Sequence, residues 1–311
     1  MKNPNCFLIA GIIAFLFLTC LPSALAVEQA PDANSSNKNI TKPNTLDPNL
    51  AAFAAADYLP AFYPGNWEFF NHLVCYDLDG QPAAYVIIFR DPNSTIKTWE
   101  EVTAQLRKAS DELDELDRQI RIIQASQETP QEDKDKLIKE RTAQRTSTLR
   151  KSYLSGDFAI VVTGATDQSE LLIRCYRGLP EIIVKQPDMQ KELNKKYPNT
   201  EFEFGQIIYL SSSDICYEVK PKKTAQQNFK LEESYVIYPK EKTLISIKEL
   251  KEKLQIVTAE KEKQLANLSS EARNMLEEAE IKGKLDNAAK WAEYKAIYLN
   301  EKSQQKKKGG K

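Results

Sequence analysis

The chain has 311 residues, enough for one large domain or two small ones at the usual size of roughly 100–200 residues each. Its 43 lysines and arginines against 44 aspartates and glutamates leave a formal net charge of −1, so no global field draws it to nucleic acid or to an acidic substrate. A single histidine, His72, excludes poly-histidine metal sites and every triad not built on it, and ten glycines form neither GxGxxG nor GxxxxGKS/T. The composition does not read as that of an enzyme and implies no cofactor.

Lys2 supplies a positive start, residues 7–18 are apolar apart from Gly11, and Pro22, Ser23, Ala24, Leu25 and Ala26 end in a small-x-small pattern. A signal peptide over residues 1–26, cleaved near Ala26, sends the mature chain to a secreted or periplasmic location. The other reading is an uncleaved membrane anchor over residues 7–27, since the apolar run stretches that far if Thr19, Pro22 and Ser23 are included. The apolar core is shorter than the roughly 20 residues that span a bilayer, which favours cleavage. A lipoprotein at Cys20 fits less well, because Phe17 and Thr19 depart from the usual Leu-x-Gly/Ala pattern. No second apolar segment is long enough to cross, so membrane contact is expected only through the signal segment.

Cleavage leaves Cys75, Cys175 and Cys216, each followed by a tyrosine within an apolar or β-branched run. They are an odd number for an oxidising compartment and read first as three buried strand cysteines behaving as small hydrophobes, and second as one disulfide with a thiol left over. A catalytic thiol fits least.

Residues 27–46 are rich in Asn, Ser, Pro, Asp and Lys without apolar periodicity and read as a disordered linker. Asp47 and Pro48 then open a helix, with aspartate as cap and proline in the first turn. Leu50, Phe53, Ala54, Tyr58 and Leu59 share a face until Pro60 and Pro64 end it, and alanines elsewhere on the helix suit packing against a sheet. The aromatic group Tyr58, Phe62, Tyr63, Trp67, Phe69 and Phe70 reads as core first and peptide groove second. Residues 75–90 make a hairpin around Asp79 and Gly80. Asp77-x-Asp79-Gly80 echoes half of a calcium loop but lacks the remaining ligands.

Thr98, Trp99, Glu100 and Glu101 form a capping box. Trp99, Val102, Leu106, Ala109, Leu113, Leu116, Ile120 and Ile123 then recur at alternating steps of three and four, the apolar seam of a coiled coil. Thr129 and Pro130 cap a second helix reaching about Tyr153, with Leu137, Ile138, Leu149 and Tyr153 as sparser apolar positions. The short connection folds the pair into an antiparallel hairpin inserted at about residues 98–154. It is a solvated arm, or one that binds a partner or a second copy through the seam from Trp99 to Ile123.

Strands return at residues 157–163 and 169–176 around a turn from Gly164 to Asp167, then at 202–210 and 215–219, and at 234–238 and 243–246. Residues 187–197 read as a short helix. Ser246-x-x-Glu249 caps C-terminal helices over residues 246–300, and residues 301–311 are a solvated basic tail too short to suggest nucleic-acid binding. His72 and Cys75 are the one histidine–cysteine pair close in sequence. Three apart on a strand, they point to opposite faces and out of hydrogen-bond reach. Asn34, Asn39, Asn93 and Asn267 head glycosylation sequons, meaningful only in a glycosylating host.

The order of an alanine-rich helix, the strand from Cys75 through Asp79 and Gly80 to Val86, the block from Gly156 to Gly164, and the block from Leu172 to Gly178 resembles the inhibitory propeptide domains of streptopain-like cysteine proteases and their free-standing relatives. The resemblance covers roughly residues 47–90 and 156–220. It implies a helix and curled antiparallel sheet that cover a protease cleft, and a papain-like cysteine protease as partner. No cysteine after Cys216 and no histidine after His72 could serve a protease domain, and the helical arm replaces what is a short connection in that family.

The expected fold is therefore α+β: a twisted antiparallel sheet with a packed N-terminal helix over residues 47–245, the inserted helical hairpin, and a helical C-terminal extension. The expected function is an exported non-enzymatic binding module, inhibitor or chaperone in type. The alternative is a structural or assembly protein of the cell envelope, associating through its coiled-coil-like arm.

Overall fold

The computed structural model describes residues 43–211, 214–224, 233–239 and 243–309. The signal peptide, the anchor alternative over 7–27 and the linker up to residue 42 lie outside them. The fold is α+β. Contacts divide the chain into a body, Asn44–Ile247 with the residues from Gly283 on, and a second unit whose described helical part is Lys248–Lys282.

The body opens with helix α1 (Pro48–Phe62), whose Asp47 cap accepts from the Asn49 N–H. The linker ends earlier than expected, because Leu46 is buried and its N–H bonds the Ala165 carbonyl, while the Asp167 carboxylate takes both the backbone and side-chain amides of Asn44. Pro60 does not stop α1. It falls in the last turn, where only one carbonyl loses its donor, and Tyr63 N–H still closes the helix on Leu59.

Strands β1 (Glu68–Tyr76) and β2 (Pro82–Arg90) form the expected hairpin. At its turn the Asp77 carboxylate accepts from the N–H groups of Asp79 and Gln81, and Gly80 takes a φ of 76°. The arm follows, α2 (Trp99–Ala125) and α3 (Gln131–Ser152). The Thr98 capping box is present as read, but Thr129 does not cap α3: Pro130 stands at that position without a side-chain bond, and the Thr129 hydroxyl pairs with Ser126.

Strand β3 (Phe158–Gly164) is buried along its whole length. Strand β4 is only Arg174–Arg177, shorter than the run from residue 169, because residues 165–173 loop back and Gly164 N–H bonds the Glu170 carbonyl. Gly178 after it has a φ of 99°, and a β-carbon there would lie 2.8 Å from the Tyr153 carbonyl oxygen, so only glycine fits. Then come α4 (Glu181–Val184), α5 (Gln186–Lys196), and strands β5 (Thr200–Ser211), β6 (Asp214–Thr224), β7 (Tyr235–Ile237) and β8 (Leu244–Ser246).

The sheet order is β4-β3-β2-β1-β5-β6-β7-β8, and it is mixed rather than wholly antiparallel. Two antiparallel halves meet in one parallel contact, Cys75 with Ile207 and Tyr76 with Ile208. A parallel neighbour needs a long crossover, and the connection from β1 through β2–β4 and the helices supplies it.

Helices lie on both faces of the sheet. On one face Val86, Ile88, Ile160 and Val162 meet Val102 and Leu106 of α2, Ile182 and Ile183 of α4, and Met189 and Leu193 of α5. On the other, Tyr85, Ile87, Phe89, Ala159 and Val161 meet Ala51, Ala54, Ala55 and Leu59 of α1, with Trp291. This explains why β2 and β3 read as unbroken apolar runs instead of alternating ones. Phe53 and Tyr58 of α1 turn to Tyr294 and Tyr298, with Phe53 and Tyr298 ring centres 5.6 Å apart. The alanines of α1 thus pack against the sheet as expected, while its larger apolar residues are divided between the sheet and the C-terminal helix.

Helix α6 (Ile247–Ala266) and helix α7 (Ser270–Gly309) follow. The basic segment from residue 301 continues α7 as helix through Gly309. Within the second unit Arg273 donates to the Ala266 and Leu268 carbonyls and closes the end of α6. Within the body the Trp291 indole N–H donates to the Ser169 carbonyl at 2.9 Å.

Candidate functional site

The seam of the arm faces inward. Val102, Leu106, Leu113 and Leu116 are buried, while Trp99, Ala109, Ile120 and Ile123 are half-buried. The base of the seam joins the main core, with Val102 and Leu106 inside it and Trp99 packed on Phe70 at 6.0 Å. Higher up, α2 packs along α3. Thr148 of α3 donates to the Glu112 carboxylate at 2.7 Å, and Arg145 donates to Asp117 at 2.6 Å. The coiled-coil pattern is therefore used within the chain, and its outer exposed apolar side chains are Ile122 and Leu137.

Where α2 leaves the body it runs past α5, and the two helices bound a slot of about 460 Å³, within the range of roughly 300–1,000 Å³ for ligand pockets. Trp99, Leu106, Ile183 and Pro187 provide its apolar lining, while Thr103, Arg107, Gln186 and Gln190 bring polar groups to it. Lys191 holds the two helices together. Its ammonium donates to Asp114 at 2.6 Å, to the Ser110 hydroxyl at 2.9 Å and to Asp111 at 3.1 Å. Ser110 in turn donates to Asp188 at 2.9 Å, at the first turn of α5. Burial pulls the Lys191 pKa down, but the bonds from Asp114 and Asp111 outweigh it and leave the group above its ordinary value. Arg107 has no ion pair among the described residues, so Lys191 is a structural strut and Arg107 the available cation of the slot.

The aromatic group of the N-terminal region does not form one groove. Phe70 is core, 5.1 Å from Phe158, whereas Phe62 and Phe69 are exposed. Tyr63 and Trp67 lie under the Arg177 guanidinium at 5.5 and 5.6 Å, and the Trp67 N–H is tied to the Tyr63 carbonyl. Trp99 was readable as a seam residue. Its partners across the slot, Ile183, Pro187 and Gln190, carry no sequence signal, because only the return of the chain past α2 brings them there.

His72 pairs with Ile87 and Cys75 with Ala84 in a regular stretch of the ladder, on opposite faces of the sheet. Cys75, Cys175 and Cys216 are free thiols. Burial pushes Cys75 up to about 12 and Cys175 up to about 11, and it drives Cys216 in the same direction. Among the described residues no group of histidines, cysteines and carboxylates is placed to hold a metal ion, and no helix is long and apolar enough to cross a membrane. No family model, curated protein or solved structure matches this chain.

Proposed function

We propose that this protein is an exported, non-enzymatic binding module that receives a segment of a protein partner in the slot at the base of its arm. One observation carries the reading: a half-buried tryptophan, Trp99, stands in an apolar slot whose walls are pinned by the Lys191 network. Aromatic and arginine side chains beside an apolar pocket are the groups that dominate protein-binding energetics, and Trp99 and Arg107 supply both. The resemblance of the strand blocks to streptopain-type propeptides makes a papain-like cysteine protease the first partner to test, with inhibition or chaperoning of that protease as the activity.

The test is titration of the mature chain into an active-site-titrated streptopain-type protease. Activity should fall in proportion to added chain, and Thr103→Trp, which fills the slot from a half-buried position on α2, should abolish the effect without altering the circular dichroism. Full protease activity at a large excess of folded wild-type chain would remove protease inhibition. Association through the arm is the second reading. With the seam committed inside the hairpin, it would use Ile122 and Leu137, and Ile122→Lys should then lower the sedimentation coefficient.

A further inference from the structure

The sheet ends at β4, and among the described residues no strand pairs with its outer side. Gly178 N–H bonds the Phe158 carbonyl, and β4 runs antiparallel to β3 with Tyr176 opposite Ile160 and Arg177 opposite Ala159. Hydrogen-bonded and non-bonded pairs alternate along such a ladder, so the N–H and C=O groups of Cys175 and Arg177 point away from β3. Neither residue has another backbone partner among the described residues. This is a short open edge with its polar groups aligned for a further strand.

Its side chains select what could add. Arg174 and Tyr176 stand on one face, with the Arg174 guanidinium 5.2 Å from the Tyr176 ring. Cys175 and Arg177 stand on the other, where Arg177 lies over Tyr63 and Trp67. No carboxylate of the described chain lies within ion-pair distance of Arg177, so its charge is held on an aromatic platform without a counter-ion. A second copy is a poor occupant. Pairing β4 with β4 of another molecule gathers four arginines and no carboxylate on one edge, and the symmetric register centred on Arg177 sets the two Arg177 side chains directly opposite each other. Like charges directly opposite on adjacent strands repel.

We infer that the β4 edge is a strand-addition site for an extended acidic peptide segment, one that carries a carboxylate opposite Arg177 and a second three positions away opposite Arg174. Backbone bonds to Cys175 and Arg177 supply the sequence-independent part of such binding, and the arginines on the two faces supply the selection. The site is separate from the slot at the base of the arm and does not depend on it.

Fluorescence anisotropy with short labelled peptides tests this. One peptide alternates threonine and valine with glutamates three positions apart; the second has lysines in their place; the third repeats the first with alternate backbone nitrogens methylated. The full mature chain should bind the glutamate peptide about tenfold more tightly than the lysine peptide, a difference expected of opposed charge pairs on adjacent strands. Methylation should abolish binding, because attraction by charge alone would survive it. Arg177→Glu, which leaves Arg174 in place, should cancel the preference between the first two peptides. Arg177→Ala, which adds no charge, should remove about half of the preference in free-energy terms if the reversed-charge variant does not fold. Thr103→Trp should leave all three titrations unchanged, which separates this site from the slot. Equal binding of the glutamate and lysine peptides, retained binding of the methylated peptide, or no binding of the glutamate peptide by natively folded chain would each overturn the proposal.

Discussion

Cys75, Cys175 and Cys216 are the most chemically informative residues, because burial sets their reactivity. Cys75 lies at the parallel contact between the sheet halves with no exposed surface, and Cys216 is equally enclosed in β6. A thiol must ionise to react, and burial raises the pKa of Cys75 from its ordinary 9.0 to about 12. Native protein at about pH 8 should therefore resist alkylation at Cys75 and Cys216 and react slowly at Cys175, as read by mass spectrometry of the intact chain, whereas unfolded protein should take up label at all three. The same shifts make stability depend on alkaline pH. The unfolded thiol loses its proton near its ordinary value while the folded one keeps it, so folding binds protons and the contribution is whole below about pH 9. It is lost as pH rises towards 12, together with those of Tyr153 and Tyr176, which burial also pushes up to about 12. The urea midpoint should fall steadily across that window.

At the scale of elements, the arm shows that periodicity does not name its partner. A seam of period 3.5 says that an apolar stripe is covered, and here α3 and the body of the same chain cover it. Leu113 sits midway along, 7% exposed, beyond the part of α2 that enters the main core. Leu113→Ala should cost about 2–4 kcal/mol, the range for a buried leucine whose cavity relaxes only in part. Hydrogen exchange should show that loss in α2 and α3 first, with β2 and β3 still protected. Uniform loss of protection throughout would show that arm and sheet unfold as one unit.

At the scale of the whole molecule, the C-terminal helix completes the sheet's second face. Trp291 has 1% of its surface exposed, donates to the Ser169 carbonyl, and shares a cluster with α1, β2 and β3. Trp291→Ala should cost about 3–5 kcal/mol, as buried tryptophans do, and lower the melting temperature by several degrees or more. Loss of α1 helicity together with exposure of Phe53 and Tyr58 should accompany it, since these rings pack against Tyr294 and Tyr298 one and two turns further along the same helix. A variant that melts like the wild type would show that this helix does not stabilise the body.

Local chemistry determined much of this protein without any tertiary information. The Asp47 cap, the Asp79–Gly80 turn, the Thr98 capping box and the 3.5-residue seam each depend on groups a few positions apart, so the start of α1, the first hairpin and the arm could be read directly. The parity of His72 and Cys75 followed from the two-residue period of a strand, and the ladder places them on opposite faces. What tertiary structure alone decided is everything that depends on which distant segment returns beside which: the parallel contact at Cys75, the split of α1 between sheet and Tyr294, the slot between Trp99 and Pro187, and the open edge at β4. Those partners lie far apart in the chain, and an apolar or charged residue carries in its own spacing no record of the surface that will cover it.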